Sequence, residues 1–198
     1  MNHLLTRLGV PAEIQALFNM TEVLIFNYGG QQEHYCEDFH TVPSTQNLWL
    51  AGTPQASHVI ISYSAMEAIA FITTNRHRYP RLNQLAFIAI GNRFFQAQAD
   101  WIRDNFPARK FTLVFGNDLI GHLTDIKLAA GIKHIDIRIF HAASQVMIYR
   151  GNQLHLFHDE QLSLHLFQEA FGIRPRFRTG KPVNSLTFLD QLKHDTER

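Results

Sequence analysis

Cysteine is nearly absent: Cys36 is the single one in 198 residues. That excludes an intrachain disulfide framework and a zinc site built from several thiolates, and it fits a reducing compartment, so the expected location is cytoplasmic. Long apolar runs are absent too. No window reaches the roughly 18 apolar residues of a membrane-spanning helix. The opening "MNHLLTRLGVPAEIQALF" is amphipathic and charged throughout, without the apolar stretch of a secretory signal, and no membrane partner is expected. Neither sign of charge dominates, since 18 Lys and Arg face 17 Asp and Glu for a formal charge of +1. Such balance argues against wrapping duplex nucleic acid by bulk electrostatics and leaves room for a local basic patch. The chain also lacks a G-x-S-x-G nucleophile turn, a phosphate loop ending in G-K-S/T and a G-x-G-x-x-G fingerprint. Hydrolase, nucleotide-kinase and dehydrogenase readings therefore have little support. There is no internal repeat and no low-complexity segment.

What is present is enough apolar residue, 45% of the chain, for one substantial core. Residues 1–57 read as a preface packed on that core: a short helix ending near Gly9, a second opening at Pro11, and a hairpin turning at Tyr28-Gly29-Gly30-Gln31. The stretch "TVPSTQNLWLAGTPQASH" is turn-rich and reads as a connection. From residue 58 the pattern changes to apolar runs separated by helices: "HVIIS", "SAMEAIAFITTNRH", "QLAFIAI", "RFFQAQADWIRDNF", "KFTLVF", "DLIGHLTDIKLAAG", "KHIDIRIF". Strands apolar on consecutive residues, spaced by helices of about ten residues or more, predict a mostly parallel sheet covered on both faces. The fold class is therefore α/β, with 58–198 forming this domain and its C-terminal extension, and with 1–57 the whole making one compact unit. The extension reads as a hairpin at Arg150-Gly151-Asn152, an acid-started helix stopped by Gly172, and a closing helix in "NSLTFLDQLKHDTER".

In an open parallel sheet, ligands bind beyond the carboxyl ends of the strands. The residues to weigh there are Tyr63-Ser64, Gly91-Asn92 and Gly116-Asn117-Asp118. "YSAMEAIAF", "AIGN" and "FGNDLIG", in that order and spacing, resemble the Toprim domain of primases, topoisomerases and related nucleases, especially the modules of mobile-element primases and mobilisation proteins. In that family the first strand ends in a Glu within a pattern like E-S-x-I-D-A-L-S, a glycine follows the next strand, and a later strand carries D-x-D-x-x-G. Here Tyr63 stands for the Glu, Glu67 for the following Asp, and Ala68 is kept; Gly91 is present; Gly116 replaces the first Asp, while Asp118 and Gly121 are retained. "RTGKPVNSLTFL" resembles a terminal lysine-aspartate-tryptophan-asparagine motif, keeping Lys181 and Asn184 with Pro182 at the acid. "LLTRLGV" and "LWLAGTP" resemble primase-associated regions. The resemblance covers residues 48–130 most clearly. It implies a Toprim-like, Rossmann-like sheet.

The resemblance also implies chemistry: the Glu as general acid or base, and the Asp pair holding magnesium against phosphates. Magnesium wants hard oxygen ligands in near-octahedral array. Gly116 offers no side chain, and a phenol titrating near 10 replaces a carboxylate poorly. Glu67 lies about one helical turn, roughly 5 to 6 Å, beyond the strand tip. The expectation is a degenerate site with no catalytic residue and no cofactor. The protein would be a binding or structural module associated with DNA replication or mobile-element processing. Asp118 reads first as a helix N-cap, and Gly91 and Gly116 as tight strand-to-helix turns. The alternative enzyme, a primase-like or nuclease-like phosphoryl transferase, would use magnesium on Asp118 with Glu67 or another acid recruited. A further alternative is a protein-partner scaffold without nucleic acid.

Other groupings carry less. In "EHYCEDFH", His34, Cys36, Asp38 and His40 share one face if extended, but at about 3.3 Å per residue the row spans near 20 Å and reads as a solvated hairpin face. His155, His158 and His165 have no ligand spacing. The best basic feature is "RPRFRTGK": Arg174, Arg176 and Arg178 point one way in an extended chain and, with Lys181, could meet phosphates while Phe177 stacks on a base or packs into the core. "NRHRYPR" is a looser second. The expected partner is single-stranded nucleic acid or a DNA-processing protein.

Overall fold

The computed structural model describes residues 1–174 and 176–196. Pro175 of the basic segment and the last two residues of the expected closing helix, Glu197 and Arg198, lie outside the described residues.

The first helix, α1 (His3–Arg7), opens where the Asn2 side chain accepts from Leu5 N at 3.0 Å. In α2 (Ala12–Leu17) Pro11 is the N-cap, with extended backbone at ψ 150°, so the helix begins one residue later than expected. β1 (Leu24–Asn27) and β2 (Gln32–Tyr35) form the expected antiparallel hairpin, closed by Tyr28 N to Gln31 O at 2.7 Å, and β3 (His40–Thr41) adds to β2. The connection expected next contains β4 (Trp49–Gly52), so that expectation needs correction: β4 is an antiparallel strand on the edge of the main sheet. Its one buried side chain, Trp49, is too sparse a signal to announce a strand.

The alternation from residue 58 appears as β5 (His58–Ser62), α3 (Ala65–Thr74), β6 (Leu85–Ala89), α4 (Gln96–Asn105), β7 (Lys110–Val114) and α5 (Leu119–Ile132). β5 is central and pairs in parallel with both β6 and β7. β8 (Arg138–Ala142) was expected to extend that sheet. It instead forms a separate antiparallel meander with β9 (Gln145–Arg150) and β10 (Gln153–His158), turning where predicted at residue 151. After α6 (Leu164–Ala170), the fourth parallel strand is β11 (Phe177–Thr179), and α7 (Phe188–Thr196) closes the described chain. The five-stranded sheet runs β11-β7-β5-β6-β4, mixed and mostly parallel.

Side chains alternate across this sheet into two cores. Ile60, Phe87 and Val114 face α3, α7 and the N-terminal elements, while Val59, Ile61, Ile88 and Leu113 face α4, α5 and the meander. The N-terminal preface joins the first core directly, since Phe18 packs edge-on against Phe87 at 4.7 Å and stacks on Trp49 at 5.9 Å. Each such buried ring contributes roughly 1.5–3 kcal/mol. α3 is enclosed on all sides, which explains why "AMEAIAFI" is apolar almost throughout. Among the described residues, no helix is long and apolar enough to cross a membrane.

Candidate functional site

The carboxyl ends of β5, β6 and β7 surround one cavity of about 240 Å³, lined by Tyr63, Gly91, Gly116 and Asp118 together with Phe115 and Thr187. Of the five residues of the expected degenerate site, Tyr63, Glu67, Gly91, Gly116 and Asp118, four therefore meet. Gly91 is held at φ +82° in the turn after β6, and a Cβ there would lie 2.5 Å from Pro43 O, so the close approach requires glycine. Gly121, in the first turn of α5, is tighter still: a Cβ would lie 1.9 Å from Gly116 O. The 116–118 loop thus rests directly on the helix it precedes.

Asp118 is the N-cap of α5, its Oδ1 accepting from Gly121 N at 2.7 Å. Tyr63 is half-buried, and burial first, then the Glu67 charge, pushes its phenol well above the ordinary tyrosine range. It stays a neutral hydroxyl.

Glu67, the fifth residue, turns away from the cavity. Its carboxylate is fully buried and accepts from Phe188 N at 2.7 Å and Leu189 N at 3.0 Å, capping the start of α7. Recruitment toward Asp118 would have to break this cap, since a helix terminus more than a hundred residues away in sequence takes both its oxygens. Burial pushes the Glu67 carboxyl up from 4.5 to about 7, against the pull of those two N–H donors, with Asp190 and Glu33 adding to the rise. The native state then holds a proton that the unfolded chain releases, so stability present at acid pH is lost as pH climbs through 7. Wild type should lose about 2–3 kcal/mol relative to Glu67→Gln between about pH 5 and pH 8. Urea melts at both pH values check this, and parallel pH dependences in the two proteins would refute it. Asp125, which titrates in the same range, is common to both and cancels.

One residue passed over in the sequence supports the site from below. Glu33 of β2 is fully buried; its oxygens accept from Ala65 N at 2.7 Å and Met66 N at 3.0 Å in the first turn of α3, and from Tyr28 Oη at 2.6 Å. Its Oε1 also lies 3.0 Å from His40 Nε2. A signal existed, because strand alternation in "QEHY" puts Glu33 on the same buried face as Tyr35. The same geometry removes the row of four possible zinc ligands. β2 ends at Tyr35, and His40 pairs opposite it and reaches Glu33 on the other face from His34.

Lys181 is already partnered within the chain. Its amine lies 2.7 Å from Asp125 Oδ2 and donates to Gly116 O at 2.9 Å and Phe115 O at 3.2 Å. Phe177 is likewise unavailable to a base: it is buried and stacks on Phe111 at 5.3 Å. The arginines flanking it are exposed but do not share one face. Arg176 lines a cavity with Phe177, whereas Arg178 pairs with Thr112, whose side chain meets His58 on the opposite side of the sheet. Arg174 is exposed.

No family model matches the chain, and neither a curated protein nor a solved structure matches it. Function has to be read from the site. Among the described residues, no three His, Cys, Asp or Glu side chains gather as a metal-holding group. At the strand ends the carboxylate set comes down to Asp118, with one oxygen already accepting a backbone hydrogen bond. Such a donor set does not fit magnesium as the Toprim arrangement would hold it.

Proposed function

We propose that this chain is a Toprim-like module that keeps the family's frame without its metal-dependent chemistry, and serves as a binding or structural part of DNA-replication or mobile-element machinery. The observation carrying this reading is that both retained acids act as helix caps, Glu67 on α7 and Asp118 on α5. The parallel placement of β5, β6 and β7, which brings Tyr63, Gly91 and Gly116 around one cavity, supports the frame. Exposed Arg174, Arg176 and Arg178 at the sheet edge supply the charge for a salt-sensitive contact with single-stranded nucleic acid.

Two assays test it. With magnesium or manganese, nucleotides and DNA, the protein should show no synthesis or cleavage above that of Asp118→Asn; a divalent-dependent activity abolished by Asp118→Asn would establish the enzyme alternative. Affinity for single-stranded DNA should fall as salt rises and should weaken in Arg174→Ala/Arg178→Ala, whereas salt-independent binding or none removes the nucleic-acid part.

A second reading, the partner scaffold, rests on the meander. Its register aligns exposed Phe140 and Leu156 across Met147, with exposed Leu154 beside Tyr149, giving an apolar outer face. Under that reading Leu156→Asp cuts recovery of the partner in co-purification without lowering the thermal midpoint.

A further inference from the structure

At the amino end of β7, the far end of the sheet from the Tyr63 cavity, lies a second cavity of about 480 Å³. Its walls combine two kinds of residue. Phe106, Phe111, Ile132 and Phe177 are apolar; Arg103, Arg109, Lys133 and Arg176 are cationic. These cations come from four separate places: α4, the loop before β7, the end of α5 and the approach to β11. No sequence run gathers them.

Their surroundings differ. Arg103 is neutralised by Asp100 at 2.8 Å and Asp104 at 3.1 Å. The Lys133 amine donates to the Arg174 carbonyl, a neutral partner, and sits over the Phe177 ring at 5.8 Å. Arg109 and Arg176 have no ion pair among the described residues, and Arg109 Nε is buried without a hydrogen-bond partner. Three cations without an acid therefore face one enclosure. Burial first, and then the Arg176 charge, pull the Lys133 amine below its ordinary value. A buried guanidinium nitrogen without an acceptor costs free energy, and like charges around one cavity repel; an anion relieves both. The C-termini of α4 and α5 also reach this end, and their partial negative charge helps hold Arg103 and Lys133. They do not supply Arg109 Nε with a partner.

We infer that this cavity binds a small organic phosphate, its phosphate held by Arg109, Lys133 and Arg176 and its apolar body against the wall of Phe106 and Ile132. Guanidinium groups meet phosphate oxygens in paired, planar hydrogen bonds, and a phosphate brings nearly two negative charges to the three cations where a carboxylate brings one. The volume falls in the range of roughly 300–1,000 Å³ typical of small-molecule sites. This site stands whether or not the strand-end cavity is a Toprim remnant, because no residue is shared between them.

Titration of the full chain with phenyl phosphate, inorganic phosphate and phenol, followed by backbone amide NMR, tests the inference. Phenyl phosphate should shift the amides of Arg109, Lys133 and Arg176 saturably at millimolar concentration, more tightly than inorganic phosphate, and leave Gly91 and Gly116 unmoved. Arg109→Ala/Arg176→Ala should weaken binding at least tenfold while its amide spectrum stays dispersed. If that variant does not fold, the wild-type titration repeated at higher salt decides: affinity should fall as salt rises. Absence of saturable shifts at these residues, equal binding of phenol, or salt-independent affinity would overturn the assignment.

Discussion

Glu33→Ala should cost about 4 kcal/mol of folding stability, measured as the change in urea unfolding free energy. The side chain is fully buried and meets Tyr28 Oη, His40 Nε2 and the amides of Ala65 and Met66. Removing it strands two backbone N–H groups at a helix start and a phenol, each at roughly 1–3 kcal/mol of uncompensated desolvation. It also removes a negative charge from the positive end of α3. The Tyr28 hydroxyl remains a protonated donor in need of an acceptor, since burial, followed by the Glu33 charge, holds it far above the range in which tyrosine ionises. Glu33→Gln keeps the shape but turns an amide NH₂ toward groups that are themselves donors, so it should recover less than half the loss. A cost below about 1 kcal/mol for the alanine variant would mean that water or a neighbouring acceptor replaces the carboxylate, and the support assigned to Glu33 would fail.

Glu33 also bears on how the strand-end cavity is held. The residue comes from a hairpin that precedes the parallel sheet, yet it fixes the first turn of α3, next to Tyr63. Glu67, within α3, in turn fixes the first turn of α7, whose approach supplies Thr187 to the cavity wall. The two carboxylates link hairpin, α3 and α7 in sequence. Glu33 and Glu67 thus stabilise the frame around the cavity, and Asp118, itself an N-cap, is the one acid that lines it.

The strands and helices from 58 to 132 were legible because burial on both faces forces continuous apolar runs, and the intervening helices are long enough to show their period. Partner choice was not. "IDIRIF" has the alternation of any strand, and nothing local says that it pairs with "QVMIYR" antiparallel rather than with "KFTLVF" in parallel. The strand that does take that place, β11, has three residues of which only Phe177 is buried, so the segment read as a basic extended stretch and not as a strand of the sheet. The meeting of Tyr63, Gly91, Gly116 and Asp118 was legible from their common position after successive strands. The roles of Glu67 and Lys181 were not, because each is set by a partner more than fifty residues distant. What could have warned of both is chemical: an acid inside "AMEAIAF", and Asp125 one turn before Leu128 and Ala129, each need a buried partner.

Lys181→Met should destabilise the protein by about 3–5 kcal/mol, measured by denaturant unfolding above neutral pH. Asp125 is fully buried and its Oδ1 has no hydrogen-bond partner among the described residues, so Lys181 is the one cation holding it. Burial pushes the Asp125 carboxyl up to about 7, with Lys181 opposing the rise. Without the lysine, Asp125 must ionise unpaired or stay protonated, and the carbonyls of Phe115 and Gly116 lose a charged donor. The double variant Lys181→Met/Asp125→Leu should regain much of the loss, since an apolar pair of similar volume has no desolvation to overcome. The pair of measurements also separates two roles for Lys181. If it only ties the last segment to the end of β7, the double variant binds single-stranded DNA as wild type does. If it is a phosphate contact, the double variant recovers stability yet loses affinity and salt dependence together. Equal destabilisation by the single and double variants would show that Asp125 was not what made the lysine necessary. The carbonyls at the lip of the cavity would then be its principal partners.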